Sequence, residues 1–235
     1  ANAAPFYSIY DAGGNDTIDA SGFDVSQFID LHDGAFSSIG GGVPSADEVN
    51  AYWTDYYADY GLDFTPDLYW TDAELQTGQI VAQIGMEFRI ERDTGVDGIY
   101  ATQFDNVSIA YGTIIENAIG GSARDLLRGN DVANELSGMG GDDVLVGFGD
   151  DDTLTGGDGD DLFVFANDGS TDTIADFQTG ADRIDLTALD GVTAADVSYN
   201  STTHQVEINL DHTGDADMFI NSMNVVGTGD YLFHV

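Results

Sequence analysis

The chain has 235 residues, with 43 Asp plus Glu against 5 Lys plus Arg, a formal net charge of −38. All five basic residues are Arg, and because phosphate neutralisation supplies most nucleic-acid affinity, a nucleic acid or an anionic membrane surface is excluded as the main partner. A hydrophobic content of 42% with 13 Phe, 11 Tyr and 2 Trp exceeds that of an acidic disordered tail, so the chain is expected to fold, and repulsion among its carboxylates points to bound divalent cations, calcium above all.

Zero Cys removes disulfides, thiolate metal sites and Cys nucleophiles. No apolar run approaches the 18 or more residues of a membrane-spanning helix, so no membrane insertion is expected. The N-terminus has neither a basic nor an apolar signal region and does not begin with Met, which predicts a processed or excised piece of a longer protein.

Between Gly42 and Phe104 lies a segment with its own pattern. Ser45 and Glu48 fit a capping box, and Val49, Tyr52, Trp53, Tyr56, Tyr57 and Tyr60 recur at helical spacing up to Gly61. Ile80, Ala82, Ile84, Met86, Phe88 and Ile90 then alternate with other residues, and 93–98 can turn into a second strand over 99–104. This small α+β insertion, residues 43–105, holds both Trp. Its aromatics suit either a surface for docking polysaccharide or peptide, or the apolar stripe that glues a helix to its neighbours.

From Gly120 to Val164 the sequence repeats every nine residues: GGSARDLLR, GNDVANELS, GMGGDDVLV, GFGDDDTLT, GGDGDDLFV. Position one is Gly in all five; position six is Asp125, Asn134, Asp143, Asp152 and Asp161; position eight is Leu127, Leu136, Leu145, Leu154 and Phe163. A flexible Gly/Asp linker has no reason to place an apolar residue at every ninth position. Gly near the start of each unit permits a positive-φ turn, and the three residues after position six suggest a short strand with one side chain pointing inward. With half a turn per unit, residues 18 apart stack one strand spacing apart, about 4.8 Å. Asp125 then lies over Asp143, Asn134 over Asp152 and Asp143 over Asp161, and such carboxylates repel unless a cation intervenes. Calcium accepts six to eight oxygens, backbone carbonyls included, in loose geometry. The unit is the calcium-binding nonapeptide of parallel β-rolls.

Beyond Val164, short strands are expected over 196–200, 205–210, 218–221 and 231–235. They would extend and cap the roll, since an open end exposes core and strand edges.

The strings YSIYDAGGNDTIDASGF (7–23), IDLHDGAFSSIGG (29–41), NVSIAYGTIIENAIGG (106–121) and DTIADFQTGADRIDLTAL (172–189), with the repeats, resemble the C-terminal part of the serralysins, secreted zinc metalloproteases of peptidase family M10. The resemblance implies an all-β fold: a parallel RTX β-roll flanked by β-sandwich-like strands. It implies a first part of the roll over 1–42, five repeats within 106–164, and over 165–235 a β cap with a type I secretion signal at its end. It further implies calcium held by position-six side chains and by main-chain carbonyls at positions two and four. These are Gly121, Ala123 and Asp125; Asn130, Val132 and Asn134; Met139, Gly141 and Asp143; Phe148, Asp150 and Asp152; Gly157, Gly159 and Asp161. One more site is carried over onto Asp11, Gly13, Gly14 and Asp16. Asn in place of Asp at 134 makes the Asn134–Asp152 pair the weakest expected site. The family's catalytic helix carries HExxHxxGxxH, whereas none of His32, His204, His212 and His234 has another His four residues on. The resemblance therefore implies a noncatalytic, secreted, extracellular domain that supports calcium-dependent folding, stability and export. Its partners would be calcium ions, the catalytic domain of a parent protease and a type I secretion machinery. An independent binding module built on the aromatic insertion is the alternative.

Overall fold

The computed structural model describes residues 7–40, 107–212, 216–222 and 224–233. The helix and hairpin expected within 43–105 lie outside these residues. Every regular element among the described residues is a β-strand. The first stretch holds β1 (Tyr7–Ile9), β2 (Thr17–Asp19), β3 (Phe28–Asp30) and β4 (Phe36–Ser37). The roll continues through β5 (Val107–Ile109), β6 (Asn117–Ile119), β7 (Leu126–Arg128), β8 (Glu135–Gly140), β9 (Val144–Val146), β10 (Thr153–Asp158), β11 (Leu162–Val164), β12 (Thr171–Ile174) and β13 (Arg183–Asp185). The end is formed by β14 (Val197–Asn200), β15 (Gln205–Ile208), β16 (Met218–Ser222) and β17 (Tyr231–Leu232).

From β6 to β13 the strands alternate between two sheets, ordered β14-β15-β16-β12-β10-β8-β6-β2 and β17-β13-β11-β9-β7-β3. From β6 to β11 each strand pairs in parallel with the strand two further along, which is the pairing of a β-roll. The register has the expected 18-residue step: Leu127 opposes Leu145, Leu145 opposes Phe163, and Leu136 opposes Leu154. Residues 7–40 supply the first coil, because Ile18 opposes Ala118 and Ile29 opposes Leu127. At the far end β14, β15 and β16 extend the larger sheet, antiparallel among themselves, and β17 extends the smaller one. A third, small sheet, β1-β5-β4, closes the beginning.

Because successive strand residues point to opposite faces, the position-eight side chains of both sheets meet inside. Leu127, Leu136, Leu145, Leu154 and Phe163 are fully buried in one continuous core with Ile18, Ile29, Ile174 and Ile184. The three-residue strand after position six holds for β7, β9 and β11. In β8 and β10 pairing runs on to six residues, through the start of the next nonapeptide.

The positive-φ turn expected near the start of each unit is present in the last three units, at positions two and four: Met139 (76°), Gly141 (109°), Phe148 (75°), Asp150 (69°), Gly157 (103°) and Gly159 (145°); the position-one glycines Gly120, Gly129, Gly138, Gly147 and Gly156 have no positive φ. Position one is Gly for space. A Cβ on Gly138 would stand 2.1 Å from Oδ2 of Asp143 and 2.7 Å from the carbonyl of Gly156, and one on Gly156 would stand 2.1 Å from Oδ2 of Asp161. Each nonapeptide thus opens with the residue that makes room for its own position-six side chain.

Candidate metal centre

The position-six side chains form two ladders, one along each edge of the roll. In the first, the backbone N–H of Gln27 donates to Oδ1 of Asp125, that of Asp125 to Asp143 (2.7 Å), that of Asp143 to Asp161 (2.9 Å) and that of Asp161 to Asp182 (3.1 Å). In the second, Asp16 N–H donates to Oε2 of Glu116 (2.9 Å), Asn134 N–H to Oδ1 of Asp152 (2.8 Å) and Asp152 N–H to Oδ1 of Asp172 (3.0 Å). The stacking expected from the sequence is therefore present, with one oxygen of each carboxylate fixed by the coil before it.

The second oxygen decides what the ladders are for. Oδ2 of Asp143, of Asp152 and of Asp161 is buried without a hydrogen-bond partner, and so is Oδ2 of Asp16. A buried, unpartnered carboxylate oxygen is costly, and burial accordingly pushes the acids up: Asp143 to about 9, Asp125 and Asp152 to about 7, Asp161 and Asp172 to about 6. Backbone N–H bonds oppose the shift at each of them, and at Asp143 the charges of Asp125 and Asp161 add to it. A hard cation accepting those oxygens would remove the penalty. Among the described residues no three His, Asp or Glu side chains converge at metal-binding distance, so a cation here would draw most of its oxygens from main-chain carbonyls. That donor set suits calcium.

The sequence-derived ligands divide by conformation. Met139, Gly141, Phe148, Asp150, Gly157 and Gly159 share the positive-φ turns, whereas Gly121, Ala123, Asn130 and Val132 do not. At Asp125 both oxygens are used, Oδ2 accepting the N–H of Gly121. Asn134 satisfies itself: Oδ1 accepts the N–H of Asn130 (2.7 Å), and Nδ2 donates to the carbonyl of Glu116 (3.0 Å). In DAGGND, Gly13 has φ 119° and its N–H bonds to Oδ2 of Asp11. The Asp16 carboxyl beside them is raised, by desolvation first and then by the charges of Asp11 and Glu116.

Sequence reasoning missed four rungs: Gln27, Glu116, Asp172 and Asp182. Asp172 follows Asp152 by 20 residues and Asp182 follows Asp161 by 21, so a strict period of nine passes over them. The common signal is a polar or acidic residue two places before an inward aliphatic one, as in Gln27–Ile29, Glu116–Ala118, Asp172–Ile174 and Asp182–Ile184.

The family model described as peptidase M10 serralysin C terminal matches residues 1–49 and 94–234. Metalloprotease AprA of Pseudomonas entomophila (strain L48) is 32% identical over 248 residues, covering 95% of this chain and 39% of that protein. Metallopeptidase AprA of Pseudomonas marginalis is 35% identical, covering 78% of this chain and 27% of its own length. Serralysin G of Dickeya chrysanthemi is 36% identical with the same coverages. The chain thus spans between about a quarter and two fifths of these relatives.

Proposed function

The chain belongs to the peptidase M10 serralysin C-terminal family, and from that premise we propose that it is the noncatalytic calcium-binding RTX domain of a secreted metalloprotease, folding on calcium after type I export. The observation that carries the proposal is the set of buried, partnerless Oδ2 atoms of Asp143 and Asp161, stacked one coil apart in one ladder, and of Asp152 in the other. Asp143, Asp152, Asp161 and Asp16 would hold the ions, helped by carbonyls of the turns at 139–141, 148–150 and 157–159. Bound calcium supplies the counter-charge that the stacked acids lack. A preformed site is absent from the unfolded chain, so the binding free energy is folding free energy.

Low calcium inside the cell would keep the chain extended for export, and calcium outside would fold it. Proteolysis would belong to a catalytic domain elsewhere in the parent protein, since no pair of His at zinc-binding spacing stands in this chain. Circular dichroism with EGTA tests the proposal. Calcium removal is expected to abolish the β spectrum or lower the melting temperature sharply, and re-addition to restore it; a spectrum and melting temperature indifferent to calcium would refute it.

A further inference from the structure

The five nonapeptides close their turns in two ways. In the first, the backbone N–H of Gly121 at position two donates to Oδ2 of Asp125 at position six, and in the second the N–H of Asn130 donates to Oδ1 of Asn134 (2.7 Å). In the third, fourth and fifth, position two is left-handed at Met139, Phe148 and Gly157, and Oδ2 of Asp143, Asp152 and Asp161 has no partner. The N–H of Gly157 goes instead to Oδ2 of Asp176 (2.9 Å). Reversing φ at position two re-aims its N–H relative to the residues that follow. The chain therefore caps the position-six side chain in one conformation and leaves an oxygen for a cation in the other.

Residue type sets the choice. Position four is Ala123 and then Val132 in the first two units, against Gly141, Asp150 and Gly159 in the last three. Left-handed backbone is open to Gly and tolerated by Asp, but for a β-branched residue such as Val it is a genuine outlier. The second turn is closed further, because Oδ1 of Asn130 accepts the N–H of Val132 (3.1 Å) and Nδ2 of Asn134 donates to the Glu116 carbonyl (3.0 Å). That puts an N–H where a cation would need an oxygen. Position five follows the same division: Arg124 and Ala133 in the first two units, Asp142, Asp151 and Asp160 in the last three. The charge of Arg124 opposes the rise that burial imposes on the Asp143 carboxyl, so one protein cation already serves the start of this ladder.

We propose that the first two nonapeptides hold no calcium of their own, and that the calcium of the repeats is confined to the turns from Met139 onward. The proposal rests on the calcium reading of the acid ladders and divides the repeats into a part closed by protein donors and a part closed by ions. Equilibrium dialysis at saturating calcium counts the bound ions, with circular dichroism to establish that each variant is folded. Asp125→Asn is expected to bind as many ions as the unaltered chain, and Asp161→Asn fewer. Val132→Gly combined with Asn134→Asp gives the second turn a residue free to turn left-handed and a carboxylate, and is expected to gain an ion. Equal losses from Asp125→Asn and Asp161→Asn, or no gain in the double variant, would overturn the proposal while leaving the calcium reading in place. An unaltered chain that binds no calcium would sink that reading, and this proposal with it.

Discussion

The backbone N–H of Asp125 donates to Oδ1 of Asp143, 18 residues later, and the backbone N–H of Asp143 does the same to Asp161. A main-chain donor from one coil thus fixes the rotamer of the acid in the next, and leaves the other oxygen of Asp143 and of Asp161 without a partner. Backbone pairing builds the ladder, and the side chains acquire from it a site that the backbone alone does not satisfy.

The flanking rungs rank the acids of this ladder. Asp143 stands between Asp125 and Asp161, and Asp161 between Asp143 and Asp182, whereas Asp125 stands between Gln27 and Asp143. The sequence alone makes Asp143 the single doubly flanked acid; the structure adds Asp161. Asp143→Ala and Asp161→Ala should each raise the calcium midpoint for folding by roughly tenfold or more, given that outer-shell losses alone typically cost about 10–100-fold in metal affinity. Asp125→Ala should raise it less. Calcium titrations followed by circular dichroism give the order, and Asp125→Ala emerging as the most damaging would contradict it.

Asn134→Asp should act with opposite signs in the two states. With calcium, a charged oxygen replaces an amide facing Asp152, and the midpoint should fall. Without calcium, the donor to the Glu116 carbonyl is lost and a carboxylate is added above Asp152, so the melting temperature should drop. Paired melts in EGTA and in excess calcium measure both signs; a shift in the same direction in both would show that residue 134 is not a cation ligand.

The position-eight column and the 18-residue register were legible in the sequence because a buried aliphatic residue at every ninth place has no cheaper explanation than stacking. Asp172 and Asp182 were not, because the chain inserts two and three extra residues there while keeping acid, strand residue and core aliphatic in place. The role of Gly138 was hidden for a different reason. Composition shows that a glycine is required but not whether it serves a backbone angle or a void, and the void depends on where Oδ2 of Asp143 lies.

Neighbouring residues 138 and 139 separate those two glycine roles. Gly138→Ala places a Cβ against the Asp143 carboxylate and the Gly156 carbonyl, and should destabilise the fold by about 1–3 kcal/mol, the usual cost of overpacking. Met139→Gly should stabilise it by about 1 kcal/mol or less. The side chain is half exposed and its φ is 76°, so relief of roughly 1–2 kcal/mol of left-handed strain is offset by the greater freedom of glycine in the unfolded chain. Denaturant melts in saturating calcium read both; a stabilising Gly138→Ala would mean that the space is not needed.

Stability of the calcium-free chain should run against the usual acid trend. In the fold Asp143 is pushed up to about 9, Asp125 and Asp152 to about 7, and Asp161 and Asp172 to about 6, against 3.8 when unfolded. The folded chain therefore holds protons that the unfolded chain has released, and their contribution is complete below pH 3.8 and is lost as pH rises through 6 to 9. In EGTA the melting temperature should be higher at pH 5 than at pH 8, protons standing in for calcium on the buried oxygens. Calcium requires the deprotonated acids, so its stabilising effect should grow over the same interval and its binding near pH 7 should release protons. Asp143→Asn removes the group with the highest value and should flatten the limb between pH 7 and 9. A calcium-free melting temperature that climbs from pH 5 to pH 8 would show that these carboxyls are charged and solvated, and that the ladders do not bury them.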